Sequence, residues 1–257
     1  MAITIKVMTF NLRVRTPKDG INFFDNRRDR ILSVIDREKP DVIGFQEATD
    51  KMLEWLKETL CDYVVLGHGR NADYHGEGTP IAYRKDMFEL HRFEASWLSY
   101  TPHVPASRLE GMGQSNCPRM LIYTELLHRD ADKPFAFCNV HTDHEGDRAR
   151  VAECQMVMQK LFACPWKFVM TGDFNARPNS QPIEAILGTA DALGTVDATS
   201  GIVGSFHDFT GNVRDCKIDY VFTNLKTDPD ASYAILDAGE DGVYYSDHLA
   251  ICAFVEL

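Results

Sequence analysis

The stretch KFVMTGDFN at residues 167–175 joins an apolar strand directly to a polar cluster. The run from Lys167 to Thr171 is typical of a buried strand, and Gly172-Asp173-Phe174-Asn175 follows it at once. A carboxylate or amide at the edge of an apolar strand is costly to desolvate unless it is paired. The stretch therefore predicts either an ordinary strand-to-loop turn or the edge of a polar site.

Five other predicted strands carry a similar polar cluster at or near one end. The clusters are Asn11, Gln46-Glu47, the run NVHTDH at 139–144, Asp219 within 217–223, and Ser246-Asp247-His248 before 249–256. Asp219 lies inside an otherwise apolar strand, so it needs a partner there. Taken singly, Asn11 could be a turn residue and Glu47 a solvated helix start. Taken together in this order, the six clusters predict that strand ends converge on one carboxylate-rich pocket.

The rest of the chain mixes strand-like and helix-like segments. Strands are predicted at 2–10, 41–45, 62–66, 79–84, 87–94, 119–127, 134–140, 167–171, 217–223, 231–237 and 249–256, and helices at 27–39, 49–60, 147–162 and from Ser180. Strands outnumber helices and hairpin-like stretches intervene, which argues against a doubly wound sheet. We predict an α/β fold, a four-layer α/β/β/α sandwich of two mixed β-sheets with helices on both outer faces, in a single domain spanning 1–257.

Composition narrows the function classes. The 257 residues include 38 acidic and 27 basic side chains, giving a net charge of −11, and 44% are hydrophobic. This is ordinary globular composition and excludes disorder as the main state. Because proteins that bind nucleic acid through its phosphates usually carry a basic face, strong binding to duplex DNA is not expected, although the charge could simply serve solubility. The 7 cysteines are odd in number and lack C-x-x-C spacing, which gives no support to a disulfide framework or a cysteine zinc site.

The sequence also bears on location. No apolar run reaches the roughly 18–20 residues of a membrane helix, so no transmembrane segment is expected. The opening MAITIKVMTF carries a lysine within its apolar stretch and does not resemble a signal peptide. We therefore expect a cytoplasmic protein, and a monomer.

Six ordered motifs resemble the endonuclease/exonuclease/phosphatase superfamily. They are MTFNLR, GFQEA, NVHTDH, TGDFNARPNS, KIDYVF and SDHLAI, between residues 8 and 250. GEGTPIAY at 76–83 and SFHDF at 205–209 further resemble a small bacterial branch similar to the deadenylase group. The resemblance implies the four-layer sandwich and a metal-dependent hydrolase of phosphate esters, a phosphodiesterase or nuclease in the first instance. In two places this sequence departs from the branch: NVHTDH has threonine where leucine is usual, and SFHDF has aspartate where glycine is usual.

The resemblance also implies residue roles. Asn11, Glu47 and Asp247 match the metal site; Asp173 and Asn175 match the pair that positions the attacking water and the phosphate; Asp219 and His248 match a carboxylate–histidine pair; and His141 matches a second phosphate-contacting histidine. Oxygen ligands of this kind favour Mg²⁺ or Mn²⁺ over Zn²⁺. His248 could act as a base or as a protonated donor, and the neighbouring Asp219 favours the donor.

Three further residues are predicted to face the substrate. Arg119 could bind a phosphate or be a solvated strand end. The resemblance to the bacterial branch implies that Glu77 approaches the metal site. His207 could lie at the pocket rim or be a packed loop histidine. The expected substrate is a nucleotide, a short nucleic acid, a sugar phosphate or a lipid headgroup.

Alternative functions remain open at this point. A phosphomonoesterase of the sugar- or inositol-phosphate type would use the same centre. A non-catalytic binding protein on the same fold would have been marked by loss of Glu47, Asp173 or His248, and all three are present. The run from His141 to His144 faintly resembles the H-x-H-x-D-H cluster of zinc hydrolases, but its first spacing does not match.

Overall fold

Two β-sheets form the centre of the molecule. The computed structural model of this chain describes residues 2–213, 215–237 and 239–257. The first sheet has the strand order β11 (Lys226–Thr227), β13 (Ile251–Glu256), β1 (Thr4–Asn11), β2 (Val42–Gln46), β4 (Ile81–Arg84) and β3 (Tyr63–Leu66), with β12 (Tyr233–Ala234) also paired to β13. The second has the order β5 (Phe88–Trp97), β6 (Met120–His128), β7 (Phe135–His141), β8 (Phe168–Asp173), β10 (Asp219–Thr223) and β9 (Val196–Asp197). Both sheets are mixed, because β1–β2 and β7–β8 pair in parallel and the other pairs are antiparallel.

The helices cover the outer faces of the two sheets. They are α1 (Phe24–Glu38), α2 (Asp50–Thr59), α3 (Asp147–Phe162), α4 (Gln181–Leu187) and α5 (Ala190–Leu193), with short 3₁₀ turns at Pro17–Asn22, Pro229–Ala231 and Glu240–Gly242. Side chains of α1 and α2 pack on the first sheet, and those of α3 and α4 pack on the second. In the part of the chain that the structure describes, no helix is both long and apolar enough to cross a membrane.

Strand β1 shows why the molecule has four layers. Successive side chains of a strand point to opposite faces. Met8 and Phe10 therefore pack against the helices on the outer face, while Ile5 and Val7 face the second sheet. Three apolar clusters result, one between the sheets and one under each helical layer. The predicted four-layer α/β/β/α sandwich is confirmed.

Most predicted elements are present, with shifted ends. The strand predicted at 231–237 shortens to Tyr233–Ala234, and the one at 217–223 begins only at Asp219. Helix α1 begins at Phe24 rather than at Arg27, and the residue before it, Phe23, has no capping side chain that the sequence could have shown. The two-residue strands β9 and β11 and the four-residue helix α5 were not predicted, because elements of that length have no periodicity to detect.

A polar layer joins the two sheets beneath their site-bearing ends. The Asn139 amide on β7 donates to the carbonyl oxygen of Phe45 at 2.6 Å and accepts from Gln46 at 2.8 Å and from the Thr171 hydroxyl at 3.0 Å. Gly44 makes this approach possible, because a Cβ there would lie 2.0 Å from the Thr171 Oγ1 atom. These bonds fix how the ends of β2, β7 and β8 are placed relative to one another.

Candidate active site

The predicted polar strand ends meet at one edge of the sandwich. The first sheet supplies Asn11 at the end of β1, Glu47 just after β2, and the Asp247-His248 pair shortly before β13, whereas the second supplies His141, Asp173 and Asp219 from β7, β8 and β10. A cleft of about 440 Å³ lies there. It is lined by eight of the predicted residues, Glu47, Glu77, Arg119, His141, Asp173, Asn175, Asp247 and His248. The other three are Asn11 and Asp219, which are hydrogen-bonded to lining residues, and His207, which is packed beside the cleft.

The His248–Asp219 pair bridges the two sheets. The His248 Nδ1 atom donates to the Asp219 Oδ2 atom at 2.8 Å, and the ring is 4% exposed. Its Nε2 atom therefore faces the cleft, 3.8 Å from the Asp173 Oδ2 atom. Burial alone would lower the pKa of His248, but the carboxylates of Asp219, Asp173 and Asp247, with Asp219 contributing most, together outweigh it and hold the pKa well above its usual value. This favours an imidazolium directed at the cleft.

Asp173 lies at the centre of the site. Its Oδ1 atom accepts from the Asn175 backbone N–H at 2.9 Å, and its Oδ2 atom accepts from the Asn11 amide at 3.0 Å. The Nε2 atom of His141 lies 3.5 Å from the same Oδ2 atom. Burial, together with the nearby Asp219 charge, raises the pKa of Asp173 to about 7. A carboxylate held in this way can orient a water molecule on its open side, and a neighbouring cation would favour its ionised form.

Glu47 is held in a strained backbone conformation. Its φ of +60° lies in the left-handed region, which is uncommon for a residue other than glycine. Its Oε2 atom accepts from the Val14 N–H at 2.6 Å and its Oε1 atom from the Asn11 amide at 3.2 Å. The side-chain oxygen Oδ1 of Asn11 accepts from the Arg13 N–H at 2.9 Å, so the side-chain amide N–H group of Asn11 is the part that faces the carboxylates.

Asp247 approaches the cleft from the segment before β13. It is buried, and its Oδ2 atom lies 3.4 Å from the Arg13 guanidinium. Burial raises the pKa of Asp247 to about 6, although the charge of His248 opposes the shift. Three carboxylates therefore line one cleft, those of Glu47, Asp173 and Asp247, and the last two are buried. A bound cation would offset their mutual repulsion and the cost of burying them.

The donor set fits a divalent cation. Two groups among the described residues have ligand atoms within 4.8 Å of one another: Glu47, His141 and Asp173 form one, and Asp173, Asp219 and His248 form the other. Asp247 lines the same cleft but belongs to neither group. Carboxylate oxygens predominate in the two groups, and such donors suit Mg²⁺ or Mn²⁺. The pair Asp143 and His144, which prompted the zinc alternative, is absent from both groups.

Basic side chains form the opposite wall of the cleft. Arg119 is 2% exposed, so it is not a solvated strand end. Its NH2 group donates to the His144 Nδ1 atom at 2.7 Å, while its Nε and NH1 groups have no hydrogen-bond partner in the structure. Glu77 pairs with Arg70 at 2.9 Å, and burial raises the pKa of this carboxyl group. A guanidinium with free N–H groups at a cleft is suited to bind a phosphate.

His207 packs inside its loop. Its ring lies 5.1 Å from the Tyr244 ring, its Nδ1 atom accepts from the Gly211 N–H at 3.2 Å, and burial lowers its pKa to about 4. It is thus placed as a packed loop histidine rather than at the rim. The preceding residue, Phe206, lines the cleft, with its ring 4.9 Å from that of His248.

The same loop explains one departure from the bacterial branch. Asp208 has a φ of +49° and Phe209 a φ of +57°, so the chain passes twice through the left-handed region. Glycine, which the resemblance leads us to expect at position 208, adopts this conformation freely, and aspartate is one of the residues that tolerate it. The backbone of the loop is therefore compatible with either residue.

The comparison with known families agrees with this geometry. The profile of the Endonuclease/Exonuclease/phosphatase family matches residues 8–248. The chain belongs to this family. The match runs from the strand that ends in Asn11 to His248 itself, and so contains every predicted site residue. The family predicted from the six motifs is confirmed.

Solved structures of the family resemble the whole chain. An endonuclease/exonuclease/phosphatase from Bacteroides vulgatus is 27% identical, with a TM-score of 0.89 and 99% of each chain covered. The mannosyl-6-phosphatase of Bacteroides thetaiotaomicron is 25% identical, with a TM-score of 0.83, covering 98% of this chain and 99% of that one. The human Nocturnin catalytic domain, with bound sulfate anion, is 16% identical with a TM-score of 0.71, covers 100% of this chain and 97% of that one, and shares the fold.

Seven residues that line this family member's cleft were not predicted as site residues. Val14, Cys117 and Ile218 are three of these, and the four with basic or aromatic side chains are Arg13, Arg70, His144 and Phe206. Three of these four lie within quoted motifs, MTFNLR, NVHTDH and SFHDF, where closer attention to neighbouring side chains could have found them. Arg70 lies in a glycine-rich loop outside every motif, so nothing in its local sequence indicated it.

Proposed function

We propose that this family member is a divalent-metal-dependent hydrolase of small phosphate esters. The observation that carries the proposal is the hydrogen-bonded His248–Asp219 pair, whose second ring nitrogen lies at the cleft, 3.4 Å from the Asn11 amide nitrogen and 3.8 Å from the Asp173 Oδ2 atom. That cleft also contains Glu47 and its crowded carboxylate neighbours. Hydrolysis of a phosphate ester needs an oriented water, a site for charge on the phosphoryl oxygens and a donor to them, and this arrangement offers all three.

The metal would be held by Glu47, with Asp247 as a direct or water-linked partner. Asn11, expected from the sequence as a third ligand, turns its amide N–H group toward Glu47 and Asp173, so it would position these carboxylates instead. When bound, Mg²⁺ or Mn²⁺ supplies Lewis-acid stabilisation of negative charge on the phosphoryl oxygens. The oxygen donors fit such an ion, and the nearby Asp173 carboxylate adds to the negative potential. The left-handed backbone at Glu47 holds its carboxylate toward the cleft without a long loop.

The other residues would orient and move protons. Asp173, fixed by Asn11 and by the Asn175 backbone, aligns the attacking water and draws its proton. His248, held charged by Asp219, donates from its Nε2 atom to a phosphoryl oxygen. His141 would contact the phosphate from the neighbouring strand end, and burial keeps its pKa well below its usual value, so it does so as the neutral ring.

The basic residues of the cleft, Arg119 and Arg70, would bind the anionic substrate. Arg119 has two guanidinium N–H positions without a partner, and Arg70 lines the same cleft. Against this local positive charge stands the net charge of −11, which weighs against long nucleic acid. A small phosphodiester, such as a nucleotide derivative or a short RNA, fits both the basic residues in the cleft and the net negative charge of the chain.

A sugar-phosphate monoester is the second candidate substrate. What favours it is the resemblance, over nearly the full length of both chains, to a structure described as a mannosyl-6-phosphatase. The same centre could remove a terminal phosphate, because neither the water-aligning Asp173 nor the His248–Asp219 pair requires a second ester bond. The basic wall would then bind the two negative charges of a monoester.

A substrate screen tests both candidates. Bis(p-nitrophenyl) phosphate, p-nitrophenyl phosphate, mannose 6-phosphate, short RNA and abasic DNA would each be assayed with Mg²⁺ or Mn²⁺, with and without chelator. We expect chelator-sensitive turnover of at least one ester, lost in His248→Ala. Turnover that survives both the chelator and His248→Ala would refute the proposed centre. Metal and phosphate binding without turnover of any of these esters would instead support a non-catalytic binding protein.

A further inference from the structure

Asp143, in the motif NVHTDH, has no role in the chemistry described above. It is fully buried at the turn between β7 and α3. Its carboxylate accepts four hydrogen bonds: Oδ1 accepts from the N–H groups of Glu145 at 3.0 Å and Gly146 at 2.8 Å, and Ser115 donates from its N–H at 3.1 Å and its hydroxyl at 2.5 Å. Burial opposes ionisation, yet these bonds prevail and hold the pKa of Asp143 at about 2. A permanent negative charge therefore lies just behind the cleft.

That charge lies beside the guanidinium of Arg119. The Nε atom of Arg119 is 3.6 Å from the Asp143 Oδ2 atom, within ion-pair range but beyond a hydrogen bond. A guanidinium that is only 2% exposed is unfavourable without a counter-charge. Among the described residues, Asp143 is the carboxylate that lies within ion-pair distance of it. The attraction holds Arg119 in place while its buried Nε and NH1 groups keep no hydrogen-bond partner, so these two donors remain for a ligand at the cleft, whereas NH2 is bonded to His144.

The backbone of Asp143 is anchored as firmly as its side chain. Its N–H donates to the Glu153 Oε2 atom on α3 at 2.8 Å, and its carbonyl accepts from Arg150, also on α3, at 2.8 Å. The facing segment is close as well, since a Cβ at Gly146 would lie 2.4 Å from the carbonyl oxygen of Gly113. Asp143 thus ties helix α3 to the segment 113–119, which ends in Arg119.

We infer that Asp143 is a positioning residue that holds Arg119 and the segment 113–119 against the cleft, so that the free guanidinium N–H groups bind the phosphate of the substrate. This inference rests on the proposed function, because it acts through Arg119 as the phosphate ligand. A purely structural role would make a different prediction. Loss of Asp143 would then lower stability and damage turnover whether or not Arg119 is present.

A double-mutant cycle separates the two roles. Asp143→Asn removes the charge and keeps the shape, while Arg119→Met removes the guanidinium and leaves the four hydrogen bonds to Asp143 in place. We expect each single variant to raise KM for the hydrolysed ester by 10-fold or more with kcat within about 3-fold, as for loss of uniform substrate binding. In the Arg119→Met background, Asp143→Asn should change KM by less than about 2-fold. Independent effects that multiply, or a fall in kcat with unchanged KM, would overturn the inference.

The control is Asp147→Asn, in the same segment. Its carboxylate is 82% exposed and pairs with Arg150 but not with Asp143 or Arg119. We expect its KM and kcat to match the wild type. If it shows the KM increase of Asp143→Asn, the effect belongs to the segment as a whole and the inference fails.

Two further measurements keep the test decisive. If Asp143→Asn does not fold, Ser115→Ala takes its place, because it removes the hydroxyl that donates to Asp143 and keeps the charge of the carboxylate. We expect it to raise KM by less than Asp143→Asn does, and to leave KM unchanged in the Arg119→Met background. If the wild type hydrolyses none of the esters, the proposed function fails, and titration with inorganic phosphate then tests the positioning role alone. The positioning role is supported if Asp143→Asn weakens phosphate binding in the wild-type background but does not weaken it further in the Arg119→Met background. Unchanged phosphate binding in Asp143→Asn refutes it.

Discussion

At the scale of the residue, the 2.8 Å bond between Asp219 and His248 makes a direct prediction. Asp219→Asn keeps the shape but removes the charge that holds the imidazole protonated. We expect turnover to fall by about 10²–10⁴-fold, the upper figure being the loss for the corresponding change in a serine-protease triad. Metal affinity should change little, since Asp219 is not a proposed ligand. Near-wild-type turnover, or loss of metal binding as the main effect, would contradict this role.

The pH profile of the same variant separates the two possible roles of His248. Asp219 raises the pKa of His248, so its loss lowers that pKa. If the protonated ring is the active form, activity is lost as pH rises through its pKa, and the alkaline limb of kcat/KM moves to lower pH in Asp219→Asn. We expect this result. Movement of the acidic limb to lower pH instead would identify the neutral ring as a base.

Glu47 is the residue for which metal dependence is predicted. Glu47→Gln removes one negative charge but keeps a side-chain oxygen that can accept the hydrogen bond from the Asn11 amide. We expect the Mg²⁺ concentration for half-maximal activity to rise at least 10-fold and turnover to fall with it, because a hard cation prefers a carboxylate. Measuring turnover of a hydrolysed ester as a function of Mg²⁺ concentration checks this. An unchanged titration at unchanged activity would remove Glu47 from the metal site.

At the scale of the element, helix α1 holds the two segments that carry Asn11 and Asp247. Arg27 is fully buried and donates to the carbonyl oxygens of Asn22, Leu12 and Tyr245 at 2.6, 2.9 and 2.5 Å. Leu12 follows Asn11, and Tyr245 lies two residues before Asp247. We expect Arg27→Met to lower the free energy of unfolding by about 2–4 kcal/mol, because it leaves buried carbonyl groups unpaired. Urea denaturation measures this, and the exposed Arg28→Met should change it by less than about 0.5 kcal/mol.

Strand β2 makes a second prediction at this scale. A Cβ at Gly44 would overlap the Thr171 Oγ1 atom at 2.0 Å and the Asn139 Oδ1 atom at 2.5 Å, so the sheets must separate or the polar layer must break. We expect Gly44→Ala to destabilise the protein by about 1–3 kcal/mol or more. Gly201→Ala is the matched control, since its Cβ would meet nothing closer than 3.6 Å. Equal thermal stability of the two variants would show that the layer tolerates the extra methyl group.

The elements also show what the sequence could and could not predict. Apolar runs with polar ends were enough to predict the long strands and to place Asp173 at a strand end, because the apolar run and the polar end can both be read from neighbouring residues. The partners of Asn139 could not be predicted, since Gln46 and Thr171 lie on other strands and their approach depends on how the sheets stack. Asp143 was likewise visible only as part of a motif, because its partner Ser115 comes from a loop 28 residues away.

At the scale of the whole molecule, charge limits the partners. The net charge of −11 surrounds a cleft with a few basic residues. Binding to duplex DNA releases counterions only where basic groups meet phosphates, so we expect weak, salt-sensitive binding at physiological ionic strength. A gel shift with a long duplex should show no stable complex at micromolar protein. A tight complex of any sequence would reveal a basic surface that the net charge conceals.

The bridge between the two sheets also has a consequence for how the molecule acquires activity as it folds. His248 precedes β13, which pairs with β1 from Thr4 to Thr9, so the first sheet is completed by joining segments more than 240 residues apart. Pairings this distant in sequence form slowly, because loop closure must precede any stabilising contact. The Asp219 partner belongs to the other sheet, so a refolding intermediate with only one sheet formed would have secondary structure but not the His248–Asp219 pair on which the proposed activity depends. In refolding experiments, recovered activity should therefore lag behind the recovery of the far-ultraviolet circular dichroism signal.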